Sequence, residues 1–112
     1  MSFTDDLEQA RTARQGVSID YDTREARVCG HLLDMQEMEF KVFAHLAEAA
    51  LRRFVPKTEM LREIWGYQSL PKTLPRSPDA MVARIRAKLR ETGTHTIECR
   101  RGYGYRLVQG RG

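Results

Sequence analysis

Apolar residues repeat along this chain first at intervals of two, then of three and four, then of two again. Val17, Ile19 and Tyr21 alternate with Ser18 and Asp20, the period of a strand with one buried face. Asp22-Thr23-Arg24-Glu25 reads as a turn. Ala26 and Val28 then alternate with Arg27 and Cys29, Gly30 punctuates, and Leu32-Leu33 makes a third short strand. The result is a small antiparallel sheet with one face in need of cover. From about Gln36 the period becomes helical, with Phe40, Phe43, Leu46, Ala47 and Ala50 on one side, Glu37 and Glu39 in the first turn, and Asp34 the expected N-cap. A bridge, Leu51 to Val55, follows. Pro56 opens a second helix whose apolar residues are Met60, Leu61, Ile64 and Trp65, the last expected in the core, and Gly66 ends it. Tyr67 to Arg76, with Pro71 and Pro75, reads as an extended loop.

The stretch Arg76 to Arg90 predicts the third helix. Ser77 is a candidate cap, Pro78 suits the first helical position, and Asp79 suits the positive helix end. At about 100° per residue, Val82, Ile85 and Leu89 share one side. Ala80, Arg84 and Ala87 fall opposite, flanked by Arg76, Ala83 and Lys88. One face therefore anchors to a core, while the other is cationic with little bulk at its centre. A helix lying deep in a DNA groove needs small residues at closest approach and arginines that reach base edges and phosphates. Taken alone, the helix fits an ordinary amphipathic helix with a solvated charged face equally well.

Beyond Glu91-Thr92-Gly93-Thr94, two strand signals, His95 to Arg100 and Tyr103 to Val108, flank Arg101-Gly102. They predict a hairpin with Arg100 and Arg101 at its tip and glycine to bend the chain. An arginine on a thin loop suits a narrow minor groove, where negative potential is concentrated.

Charge is what separates the two readings of the helix. The 112 residues carry a net +4, unevenly distributed. From Lys72 onward ten basic residues face only Asp79, Glu91 and Glu98, a local +7 that leaves −3 for residues 1–71. A basic C-terminal part on an acidic support is the footprint of a nucleic-acid binder. No apolar run approaches the ~20 residues of a spanning helix, and the early acids Asp5 and Asp6 do not fit a secretory signal. A cytoplasmic protein without membrane contact is the expectation. Cys29 and Cys99 are in no ligand spacing and are expected as buried, reduced thiols, with a disulfide between them the less favoured alternative.

Catalytic chemistry finds little support. His31, His45 and His95 are scattered without metal-ligand spacing, the serines sit in no nucleophile motif, and Gly102-x-Gly104 lacks the third glycine of a dinucleotide fingerprint. No enzyme activity, cofactor or metal is expected. RNA binding is weaker than DNA binding because no exposed aromatic pair forms a stacking platform.

The order of elements resembles the winged helix-turn-helix effector domain of response regulators of the OmpR/PhoB type. Specific residues carry the resemblance. Leu33 to Leu46, with Glu39-Phe40, looks like the segment opening that family's first helix, and Met60-Leu61 with Trp65-Gly66 looks like its second. Arg76-Ser77-Pro78-Asp79 and Arg84-Ile85-Arg86-Ala87-Lys88-Leu89 look like its recognition helix, and Arg101-Gly102-Tyr103-Gly104-Tyr105-Arg106-Leu107 like its wing. The resemblance covers about Val17 to Val108. It implies an α+β fold: an N-terminal antiparallel sheet, three helices and a C-terminal β-hairpin wing. The expected domain is 17–109, between tails at 1–16 and 110–112.

By the same resemblance, Arg76, Arg86 and Lys88 should meet phosphates, Arg84 a base edge, Ala80 a thymine methyl, and Arg101 the minor groove, with Ala83, Gly102 and Tyr103 completing the DNA-binding set. The chain departs from the family pattern at Gln36 and Pro56, where capping hydroxyls are usual, at Ala83, often polar, and at Cys99, commonly a threonine that bonds a phosphate. Family members usually carry an upstream receiver domain. Sixteen residues precede Val17 here, so the expectation is a stand-alone binder or a domain cut from a longer protein. The reading is a bacterial, sequence-specific regulator of transcription that binds double-stranded DNA, with tandem pairing implied by the family. The alternative is a protein-interaction module docking on RNA polymerase or a sigma factor through the loop 67–75.

Overall fold

The computed structural model describes residues 16–49 and 53–109. The expectations for the first fifteen residues, for Ala50 to Arg52 and for the tail 110–112 lie outside the described residues. The element order is β1 (Val17–Asp20), β2 (Glu25–Val28), β3 (His31–Leu33), α1 (Glu37–Glu48), β4 (Val55–Pro56), α2 (Lys57–Glu63), α3 (Ser77–Arg90), β5 (His95–Arg100) and β6 (Gly104–Gln109). Two antiparallel three-stranded sheets result, in the orders β1-β2-β3 and β4-β6-β5.

In the first sheet, Val17 pairs with Val28 and Ile19 with Ala26, so the alternating apolar residues line one buried face. Asp20 closes the β1–β2 turn by accepting the Asp22 N–H at 2.9 Å through its carboxylate. The β2–β3 turn contains only Cys29 and Gly30, with φ of +50° and +85°. Two-residue hairpin turns of this hand need positive φ at both positions. Cys29 therefore stands in the left-handed region at the surface. Its S–H donates to Thr94 Oγ1 at 3.6 Å. Cys99, near the far end of β5, also lies beyond the core, and both thiols are exposed and free. The expectation of buried cysteines is thus corrected: turn geometry and strand length put both at the surface.

Helix α1 lies against this sheet, and α2 and α3 pack with it and with the second sheet around one core. Phe40, Phe43 and Leu46 of α1, Met60 and Leu61 of α2, and Val82, Ile85 and Leu89 of α3 are all essentially inaccessible. Trp65 packs against this core but is only partly buried. The cap of α1 is Gln36, not Asp34, and the Gln36 N–H donates to Glu39 at 3.0 Å. Helix α3 begins one residue earlier than its sequence signals: Arg76 is the cap and Ser77 the first helical residue. Gly66, at φ +81°, lets the chain leave α2 while the Tyr67 N–H reaches back to the Leu61 carbonyl at 3.0 Å.

Strand β4 is absent from the sequence reading. Two residues carry no periodicity, and Pro56 argues against a strand. Its cause is an exact fit with the second sheet: Val55 pairs with Tyr105 and Pro56 with Gly104. A Cβ on Gly104 would stand 1.9 Å from the Val55 carbonyl oxygen, so only glycine permits this approach.

Candidate nucleic-acid interface

The exposed side of α3 and the tip of the β5–β6 hairpin carry the cations expected to meet DNA. Along α3, Val82, Ile85 and Leu89 turn inward, and Ala80, Ala83, Arg84 and Ala87 turn outward. Arg76 and Arg90, at the two ends, are exposed as well. The hairpin register pairs Arg100 with Gly104, which leaves Arg101, Gly102 and Tyr103 as a three-residue tip. Gly102 takes φ +74°, and the Tyr103 N–H donates to the Arg100 carbonyl at 2.9 Å. The Arg100 guanidinium lies 5.3 Å from the Tyr103 ring centre, so the tip is stiffened by a cation–π contact. Arg101 and Tyr103 are both exposed.

Arg86 and Lys88, expected on phosphates, are partly buried and bonded within the protein. Arg86 Nε donates to the Ile97 carbonyl at 2.9 Å, and its guanidinium lies 5.9 Å from the Tyr105 ring centre. Lys88 Nζ lies 2.6 Å from Glu39 Oε1 and also donates to the Asp34 carbonyl. Glu39 is 3% exposed. Burial opposes its ionisation, yet the Lys88 ammonium, the Gln36 N–H and the nearby Arg84 charge together hold its carboxyl below the ordinary value. Lys88 is therefore the counter-ion of a buried carboxylate, and Arg86 a strut from α3 to β5.

A second polar cluster sits where α3, the wing and α2 meet. Tyr105, at 7% exposure, donates its hydroxyl to Asp79 Oδ1, and Lys57 Nζ lies 3.3 Å from Asp79 Oδ2. The Lys57 backbone N–H, an orphan donor at the start of α2, is satisfied by the Tyr103 carbonyl at 2.9 Å. Burial and the Asp79 carboxylate both raise the Tyr105 hydroxyl above its ordinary value, so it stays protonated as a donor. Sequence reasoning took Asp79 only as a residue suited to a helix N-terminus and missed this cluster. On the opposite flank of the wing, Arg106 stacks 4.4 Å from the Phe54 ring centre and pairs with Glu98.

A cleft of about 300 Å³ lies between the β1–β2 turn, α1 and the end of α2. Among the described residues no group of three or more His, Cys, Asp or Glu side chains is arranged to hold a metal ion. No described helix is long and apolar enough to cross a membrane.

Residues 30–107 match the family model described as transcriptional regulatory protein, C terminal. The transcriptional regulatory protein VxrB of Vibrio cholerae is 31% identical over 100 residues, covering 89% of this chain. This chain spans 38% of the length of that relative. Among solved structures, the DNA-binding domain of the response regulator AdeR, in complex with an intercistronic region, superimposes with a TM-score of 0.68 at 25% identity, covering 85% of this chain and 95% of that one. The DNA-binding domain of CpxR from E. coli gives a TM-score of 0.68 at 25% identity, with coverage of 85% and 92%.

Proposed function

Since the chain belongs to the family of transcriptional regulatory protein C-terminal domains, we propose that it binds double-stranded DNA as a sequence-specific regulator, with α3 in the major groove and the wing in the adjacent minor groove. The observation that carries this reading is the surface of α3. Its outward face joins three alanines to Arg84 and has arginines at both ends, while its apolar stripe is fully engaged in the core. Small side chains at the centre let the helix axis approach the base edges, and the arginines reach out from it. The AdeR domain, of the same fold, was solved in complex with an intercistronic region.

In this assignment Arg84 reads guanine, since the outward face has neither Asn nor Gln to pair with adenine. Ala80 and Ala83 contact thymine methyls. Arg76 joins Arg90 and Arg100 on phosphates, and Arg101 enters the minor groove. Gly102 and Tyr103 shape the tip that delivers it. Arg86 and Lys88, partly buried and bonded within the protein, support the helix and contribute less to phosphate binding than the exposed arginines. One copy covers few base pairs, so two copies on neighbouring half-sites are expected.

Footprinting on genomic fragments tests the assignment. A discrete protected site supports it, and uniform weak binding to all fragments contradicts it. Docking on RNA polymerase or a sigma factor through the loop 67–75 is the competing use of the fold. It requires the loop to be essential and Arg84 and Arg101 to be dispensable, which a transcription assay with those variants distinguishes.

A further inference from the structure

Two reading elements that enter different grooves must be held at one spacing, and three residues outside the assigned contact set join them. Asp79, in the first turn of α3, accepts the Tyr105 hydroxyl from β6 through one oxygen and pairs with the Lys57 ammonium from α2 through the other. The Lys57 main chain is itself bonded to the Tyr103 carbonyl in the wing tip. Helix α3 and the wing strand thus meet at a single carboxylate, and the wing loop is tied to it through Lys57. The Tyr105 ring carries the Arg86 guanidinium near its face, and Arg86 in turn holds the Ile97 carbonyl of β5. The hairpin has no comparable polar link to α3 nearer its tip among the described residues, because the side chains from Cys99 to Tyr103 are exposed.

We propose that Asp79, Tyr105 and Lys57 form a brace that sets the position of Arg101 relative to Arg84, so that helix and wing engage DNA as one rigid reader. This inference rests on the DNA-binding reading above. All three are positioning residues, because their polar side-chain atoms pair with one another across α3, β6 and α2. With the brace intact, contacts made by α3 place the wing tip at its groove without a further ordering cost. With it broken, the tip must be ordered at the moment of binding, and the contribution of Arg101 shrinks.

A double-mutant cycle reads this coupling. Tyr105→Phe keeps the ring and removes only the hydroxyl. Arg101→Ala is expected to weaken operator binding about tenfold in the wild-type background and about twofold in the Tyr105→Phe background, a coupling of about 1 kcal/mol. Asp79→Asn, which keeps an acceptor for the hydroxyl, should fall between. Amide hydrogen exchange on the free protein supplies a readout independent of DNA: the Lys57 N–H should exchange faster in Tyr105→Phe and in Asp79→Ala. Equal effects of Arg101→Ala in both backgrounds overturn the brace and leave DNA binding standing, as does unchanged exchange at Lys57. A wild-type protein that prefers no duplex overturns the reading beneath it, whatever the exchange shows.

Discussion

Arg84, Arg86 and Lys88 lie within five residues of one another on α3, yet the structure gives them three different surroundings. Measured from the centre of the buried stripe at about 100° per residue, Arg86 sits roughly 70° away, Lys88 roughly 90° and Arg84 roughly 130°. Only Arg84 is far enough round to face outward. Replacing it with alanine is expected to cost about 1–3 kcal/mol of binding and to relax discrimination at one base pair. A titration against single-base variants of the operator checks this, and an equal loss on every sequence would refute base reading. The angular offsets were present in the sequence. The buried partner Glu39 was not legible, because it comes from another helix about fifty positions earlier.

That pair makes its own prediction. Removing the ammonium in Lys88→Met leaves a carboxylate buried without its counter-ion, at a cost of about 3 kcal/mol, the lower end for a broken buried pair because Lys88 keeps some exposure. In the wild type, the folded protein holds Glu39 below its ordinary value of 4.5. The corresponding stability is present above that pH and is lost as pH falls through the lower folded value. In Lys88→Met, burial then raises the carboxyl, so the gap between variant and wild type should narrow on acidification. Urea unfolding at neutral pH and near pH 4 measures both trends. A gap that is the same at both would mean that Glu39 and Lys88 do not titrate as a pair.

At the scale of elements, what could be read in advance was what had a period. Helix α3 shows its apolar stripe over fourteen residues, and β1, β2, β5 and β6 alternate clearly enough to be placed within a residue or two. Strand β4 has two residues and exists only because β6 offers it a partner, so its signal lies in Gly104, a distant position. Gly104→Ala should therefore destabilise the fold by about 3 kcal/mol or more, the upper end of overpacking, since the obstacle is backbone that has no rotamer to change. Denaturant unfolding tests it, and a loss below ~1 kcal/mol would mean that β4 moves aside. The outward face of α3 gives the converse case. Ala83→Glu touches nothing in the core, so its stability should change by less than about 0.5 kcal/mol, while a carboxylate at the groove-facing centre should abolish DNA binding. Retained affinity would show that this face does not approach the duplex.

Across the whole molecule, the uneven charge was plain from the sequence, but its usable part was not. Of the basic residues on α3 and the wing, Arg76, Arg84, Arg90, Arg100 and Arg101 are exposed, whereas Arg86, Lys88 and Arg106 are partly buried in contacts within the protein. Three phosphate-directed charges per copy, Arg76, Arg90 and Arg100, predict that log K falls with log salt at a slope of about −3. Arg76→Ala should reduce that slope by about one, and Arg86→Ala should leave it unchanged.

The central claim is that helix and wing occupy neighbouring grooves of one duplex, and dimethyl sulfate protection probes both together. The reagent marks guanine N7 on the major-groove edge and adenine N3 on the minor-groove edge. Protection of one or more guanines that disappears with Arg84→Ala, beside protection of adjacent adenines that disappears with Arg101→Ala, is the result expected. Protection that neither substitution alters, or none on any footprinted fragment, would contradict the account.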